Sequence, residues 1–318
     1  MAAEKNELTP MKRQYNQIKE RNQDCILFFR LGDFYEMFDE DAKLAARELD
    51  LTLTTRDRNK PKEEQTPMCG VPYHSVDSYI ARLVSKGYKV AICEQMEDPA
   101  QAKGIVERDI TRIVTPGTVT ESCMLEESRN NYMACLYGDG ERYGLAFCDV
   151  STGAFYATVC ADAQAAASEL GRFAPSEVIR GGEGCKDAII EDALFHRLSC
   201  CVDEGQPEQF DLESAQALLE KHFALSLAQL NLTGAPAAVI ASGTLLETLK
   251  FVQKNELEHI RQLQFYTTGR FMELDMDARR NLELIETMRS KEKKGTLLCG
   301  QESACKWRRL VRQPMERT

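Results

Sequence analysis

Long apolar runs are missing from this chain. No stretch approaches the roughly 18 consecutive apolar residues of a membrane-spanning helix, so no transmembrane helix is expected. The first ten residues, MAAEKNELTP, hold no apolar core, so no signal peptide and a cytoplasmic location are expected. Histidine is scarce, at 4. The 12 cysteines include no C-x-x-C pair, which argues against a zinc site and for scattered reduced thiols over a disulfide framework. Catalytic signatures are missing as well. There is no G-x-x-x-x-G-K-[ST], hence no cradle for nucleotide phosphates, and no H-E-x-x-H or G-x-S-x-G. No catalytic residue and no metal ligand is expected.

Positive charge is also in short supply, with a net charge of −10 over 318 residues. Taken whole, that argues against nucleic-acid binding. The distribution says more. Residues 1–115 hold 18 Lys+Arg against 20 Asp+Glu, residues 116–265 hold 10 against 22, and residues 266–318 hold 12 against 8. The acid sits in the middle, which suits a solvated or protein-facing surface. Only the two ends are open to DNA, and the N-terminal one must rely on shape and a few local cations.

What is present is an ordinary globular composition, 43% hydrophobic, of a length for two or three domains of about 100–200 residues each. Thr9-Pro10 opens a helix, Thr as N-cap and Pro in the first turn, with Met11, Tyr15 and Ile18 on one stripe. A strand is expected over Cys25–Leu31, a helix over Asp39–Leu49 and a strand over Leu51–Thr55. Arg56–Gln65 reads as a charged loop, and its cations Arg56, Arg58, Lys60 and Lys62 are candidate phosphate contacts. Gly70-Val71-Pro72-Tyr73 reads as a tight turn before a helix that runs to Lys86, and Tyr88–Cys93 as another strand. Alternation of helices and strands predicts an α/β domain with a mixed sheet over residues 1–115.

Pro116-Gly117 marks a boundary, with a linker over 116–130. A second α/β domain over 131–260 then starts as a β-meander, Tyr132–Tyr137, Tyr143–Val150 and Ala154–Val159. Helices are expected at Ala161–Phe173, Ala188–Leu194 and Leu212–Phe223, and short strands at Ser176–Arg180 and Arg197–Val202. From Gly243 the spacing is helical again. Ala278–Arg289 predicts a further helix within a segment 261–298, and 299–318 is a Cys- and Arg-rich tail whose abruptness suggests truncation or a frameshift.

The stretch Phe28–Phe38, FFRLGDFYEMF, carries the sharpest functional signal. Its apolar run breaks at Gly32-Asp33, and Phe34 then stands two residues before Glu36. A ring can wedge beside a base while a carboxyl hydrogen-bonds a base edge. A carboxylate is a poor partner for phosphates, so on DNA it discriminates rather than holds.

Gly32-Asp33-Phe34-Tyr35-Glu36 resembles the mismatch-binding motif of the bacterial MutS family of DNA mismatch repair proteins. Thr66–His74 (TPMCGVPYH), Ala91–Gln95 (AICEQ) and Arg112–Thr118 (RIVTPGT) extend the resemblance, as do Asp277 and Arg279–Glu283. It spans about Thr9 to Leu298. It implies a mismatch-binding domain, a connector domain with a ribonuclease-H-like fold and the start of an all-α core domain. It also implies Phe34 as the wedge, Glu36 as the base-edge contact and Tyr35 as packing. Val71, Pro72, Tyr73 and His74 would line the groove or brace the motif, and Arg112 would contact backbone or form a structural ion pair. The implied partners are double-stranded DNA with mismatches or small loops, the repair protein MutL, and a second subunit in a homodimer. ATP and magnesium belong to the family's ATPase domain, which this chain lacks, so no enzyme activity is expected of it. Two other readings stay open. One is a pure protein-interaction module acting through the connector. The other is a metal nuclease built on Asp149, late in a strand, with Glu191 or Asp192.

Overall fold

The computed structural model describes residues 9–56, 65–97, 104–121, 124–125 and 130–268. Helix α1 (Pro10–Glu20) starts as its sequence dictates, with the Thr9 hydroxyl accepting from the Lys12 N–H at 3.4 Å. Strand β1 (Cys25–Leu31) is apolar almost throughout because both of its faces are covered. Ile26 and Phe28 face α2 (Asp39–Leu49) and α3 (Val76–Val84). Leu27 and Phe29 face Tyr15 and Ile18 of α1 on the other side.

The chain reverses at Gly32, where φ is +59°, and returns as β2 (Phe34–Phe38), antiparallel to β1. The sheet is completed by β3 (Thr54–Thr55), β4 (Pro67–Pro72), β5 (Lys89–Gln95) and β6 (Arg108–Val114). Its order is β3-β4-β2-β1-β5-β6, mixed because β1 and β5 run parallel. The expected mixed α/β character is therefore observed. Two local expectations are corrected. Gly70-Val71-Pro72 is part of strand β4, with both prolines at its ends where no ladder donor is lost from the middle. The strand expected over Leu51–Thr55 shrinks to Thr54–Thr55, and β6 has no counterpart among the expected strands.

The second sheet opens with the expected meander: β7 (Met133–Asp139), β8 (Tyr143–Asp149) and β9 (Ala154–Cys160). After α4 (Ala163–Phe173), β10 (Glu177–Glu183) lies parallel to β7. The next expected helix is shorter: α5 (Ala188–Glu191) passes into a π-helical turn, Asp192–Leu198. The next strand, β11 (Cys201–Glu204), starts later than Arg197. Helices α6 (Leu212–Phe223) and α7 (Pro236–Gln253) and strand β12 (Leu263–Phe265) follow. The order is β11-β10-β7-β8-β9-β12.

Helix α7 begins seven residues before Gly243 and is buried along most of its length, with Val239, Leu245, Leu246 and Leu249 in the core. It packs so tightly on β8 that a Cβ at Gly144 would lie 2.0 Å from the Ala237 carbonyl oxygen. Val252 at its far end enters the core beneath the first sheet, beside Tyr15 and Ile113. No helix among the described residues is long and apolar enough to cross a membrane. The helix expected at Ala278–Arg289, the tail 299–318, and linker residues 122–123 and 126–129 lie outside the described residues.

Candidate nucleic-acid interface

Strand alternation sets the site. Phe34 and Glu36 point to one side of β2, and Tyr35 between them points to the other. Phe34 pairs with Leu31 on one flank and Pro72 on the other, so its backbone is held from both sides. Its ring is nevertheless 48% exposed, an unusual cost for a large aromatic on a fully paired strand. The Tyr73 N–H donates to the Asp33 carbonyl at 2.9 Å and ties the Gly32-Asp33 turn to the end of β4.

Tyr35 is buried, packs against Phe28 and donates its hydroxyl to Glu94 of β5. Burial, then the hydrogen bond to the Glu94 carboxylate, pushes its phenol well above the ordinary range. On this same side Arg30 places its guanidinium 5.3 Å from the Tyr35 ring and 4.0 Å from the half-exposed Tyr73 ring. Its Nε donates to the Gly32 carbonyl at 2.6 Å. Arg108 steadies the arrangement from β6, donating to the Arg30 carbonyl at 2.7 Å.

Glu36 lies over Gly70 of the neighbouring strand, where a Cβ would stand 3.2 Å from the Tyr35 carbonyl and 3.6 Å from the Glu36 Cγ. Its carboxylate meets the Arg56 guanidinium at 3.3 Å. Burial raises the Glu36 pKa, and the charge of Arg56 works against that rise. An exposed aromatic ring and a half-buried carboxylate thus share one face of β2, with the Arg56 guanidinium beside the carboxylate.

The family profile described as MutS domain I matches residues 9–123, and that described as MutS domain II matches residues 131–261. The chain belongs to the MutS family. It is 50% identical over 294 residues to the DNA mismatch repair protein MutS of Ruminiclostridium cellulolyticum, a match covering 92% of this chain and 33% of that protein. The proteins of that name from Acetivibrio thermocellus and Caldanaerobacter subterraneus subsp. tengcongensis are 49% and 45% identical, again over 92% of this chain and 33% and 34% of theirs. The chain spans about a third of the length of these MutS relatives.

Of the residues singled out in the sequence, Phe34, Pro72, Tyr73 and His74 gather where β2 starts and β4 ends, and Glu36 meets Arg56 further along the same strands. His74 is exposed and sits edge-on to Tyr73 at 5.9 Å. Val71 is different: it is fully buried in the core that holds Tyr35, so it braces the motif from behind and offers no contact surface. Arg58, Lys60 and Lys62 lie outside the described residues. Arg112 stands apart. Its strand, β6, is separated from β2 by β1 and β5, and its guanidinium is engaged by the Glu121 carboxylate and the Thr120 hydroxyl at 3.2 Å. It lines a cleft with Ser151, Gln253 and His259 of the second domain, and of its two expected contacts the ion pair is the one seen here.

Sequence reasoning missed Arg30, Gly70, Glu94 and Arg108. Gly70, Glu94 and Arg108 meet residues of other strands 34, 59 and 78 positions away, so local pattern gives their presence but not their partners, whereas Arg30 acts on the turn two residues on. Asp149 closes the β8–β9 turn. One of its carboxyl oxygens accepts from the Ser151 N–H at 2.9 Å, the Ser151 hydroxyl at 2.7 Å and the Thr152 N–H at 3.3 Å. Glu191 pairs with Arg180, and Asp192 with Arg197 at 2.6 Å. Among the described residues no group of three or more His, Cys, Asp or Glu is placed to hold a metal ion.

Proposed function

We propose that this chain reads mispaired or unpaired bases in duplex DNA, with Phe34 as the wedge and Glu36 as the base-edge contact. The observation that carries this reading is the exposed Phe34 ring on a backbone paired on both flanks. Opening a base step costs a few kcal/mol of unstacking. A mismatch has already lost part of its stacking and pairing, so the wedge enters there more cheaply. A rigid strand keeps the ring from folding back, so the difference reaches the DNA as discrimination. Arg56, Arg58, Tyr73 and His74 supply the flanking backbone contacts in this reading.

The partner MutL, a homodimer, ATP and magnesium are assigned by the same reading to the relatives' full length, of which this chain spans about a third. The acidic second domain is its protein-facing side.

Competition binding to G·T, one-base-bulge and matched duplexes tests the proposal. Phe34→Ala removes the wedge, so mismatch binding falls to the matched level. An unchanged mismatch-to-match ratio sinks the reading.

A further inference from the structure

Glu36 and Arg56 form an ion pair across the surface that carries Phe34, and such a pair is poorly placed to survive contact with DNA. Phe34 and Glu36 are two residues apart on one strand, about 7 Å. That is close to the roughly 6 Å width of a minor groove. A duplex entered by the Phe34 ring therefore also covers Glu36, and phosphates flanking the entered step come within reach of the exposed Arg56 side chain beside it. The Arg56 side chain is 51% exposed and holds the carboxylate through one contact of 3.3 Å, a pair of the kind worth at most about 1 kcal/mol. A guanidinium binds a phosphate in two-pronged fashion and more strongly.

We propose that Arg56 is a specificity-determining residue: it pairs with Glu36 in the free chain and passes to a DNA phosphate on docking, so that the Glu36 carboxyl meets the base stack without its counter-ion. This rests on the reading of Phe34 and Glu36 as the base-reading pair.

The consequence for Glu36 follows from its surroundings. Its cross-strand neighbours, Phe29 and Gly70, carry no charge, and Arg56 is the group whose charge opposes the effect of burial on the carboxyl. Once Arg56 is drawn to a phosphate, burial and the negative field of the DNA act together. Glu36 then either takes up a proton and donates to a base acceptor, or stays charged and repels any base edge that offers no donor. At a matched step, where every base edge is engaged, the unmasked carboxylate is a penalty. Handing over Arg56 thus strengthens the grip on backbone and sharpens the rejection of intact pairs. Where a displaced base offers an acceptor and the carboxyl takes up the proton, mismatch binding tightens as pH falls.

A double-mutant cycle on the full 318-residue chain tests the exchange, using fluorescein-labelled matched and G·T duplexes. If docking breaks the pair, Arg56→Ala loses a phosphate contact but no longer has to break one with Glu36. In the Glu36→Gln background only the loss remains. Arg56→Ala should therefore cost about two-fold on matched DNA in the wild-type background and about ten-fold in the Glu36→Gln background, the ratio being that of an exposed ion pair. Equal losses in both backgrounds, or a larger one in the wild type, overturn the exchange. In the free chain, the Glu36 carboxyl followed by carbon-13 NMR should titrate at higher pH in Arg56→Ala, and an unchanged midpoint means no pair exists in solution. Phe34→Ala serves as the separate control. If it abolishes mismatch preference while the cycle is additive, the exchange fails and the base-reading pair stands; if it does not, the base-reading assignment fails instead.

Discussion

Glu177 of β10 reaches out of the second sheet and accepts hydrogen bonds from the Thr115 hydroxyl and, at 2.9 Å, from the Gly117 N–H. The carboxyl is buried where the two domains meet, with Lys89 of β5 at 3.9 Å. Lys89 also reaches Asp203 of β11 at 2.5 Å, and Gln253 of α7 donates to the Thr118 carbonyl at 3.0 Å. The junction thus holds polar hydrogen bonds inside, with the Lys89–Asp203 ion pair nearer its rim.

That burial makes the joint sensitive to pH. Burial outweighs Lys89 and the two donors and pushes the Glu177 pKa up from 4.5 to about 7. Because the folded-state value is raised, the native state holds the proton over this window and the unfolded chain does not. Its contribution to stability is fully present below about pH 4.5 and is lost as pH rises through about 7. Glu177→Gln removes the titration. Urea unfolding at pH 5 and pH 8 should show the wild type losing on the order of 1–3 kcal/mol more than the variant. A pH-independent difference between the two contradicts the assignment.

Phe34 and Tyr35 should separate binding from stability although they are adjacent. Tyr35→Phe keeps the buried ring and removes the donor to Glu94, which should cost about 1–2 kcal/mol in unfolding and leave the mismatch-to-match ratio close to wild type. Phe34 is already half exposed, so Phe34→Ala should cost only about 1 kcal/mol of stability while removing mismatch preference. Chemical denaturation and competition binding on the same preparations decide both halves.

Affinity should be modest. Residues 1–115 have 18 basic against 20 acidic residues, and Arg112 is engaged by Glu121. Few cations remain for phosphates, so binding is expected on the order of 10⁻⁴–10⁻⁶ M with a shallow dependence on salt. Nanomolar binding of this chain to a mismatched duplex would contradict that expectation.

Nucleotide binding is expected to be absent from this chain, since no Gly-rich phosphate loop with its Lys occurs in the sequence. Titration with ATP and magnesium by calorimetry should show no saturable heat; a micromolar site would mean that another segment supplies the cradle.

The sequence by itself determined what short-range physics governs. Thr9-Pro10 capped α1, the unbroken apolar run made β1 a strand covered on both faces, and the period of two put Phe34 and Glu36 together and Tyr35 opposite. Its long family-like words, TPMCGVPYH and RIVTPGT among them, likewise lie in the sequence itself. The tertiary structure alone decided who meets whom. It turned Gly70 from a supposed turn residue into the flat ground beneath Glu36, sent Val71 into the core and put Arg112 on a distant strand beside Glu121. It also paired Arg56 with Glu36 and Glu177 with Thr115, across separations of 20 and 62 residues. The reason is the range of the forces that local rules describe. Capping and periodicity act within a few residues, whereas strand order and register bring together side chains that no local pattern connects.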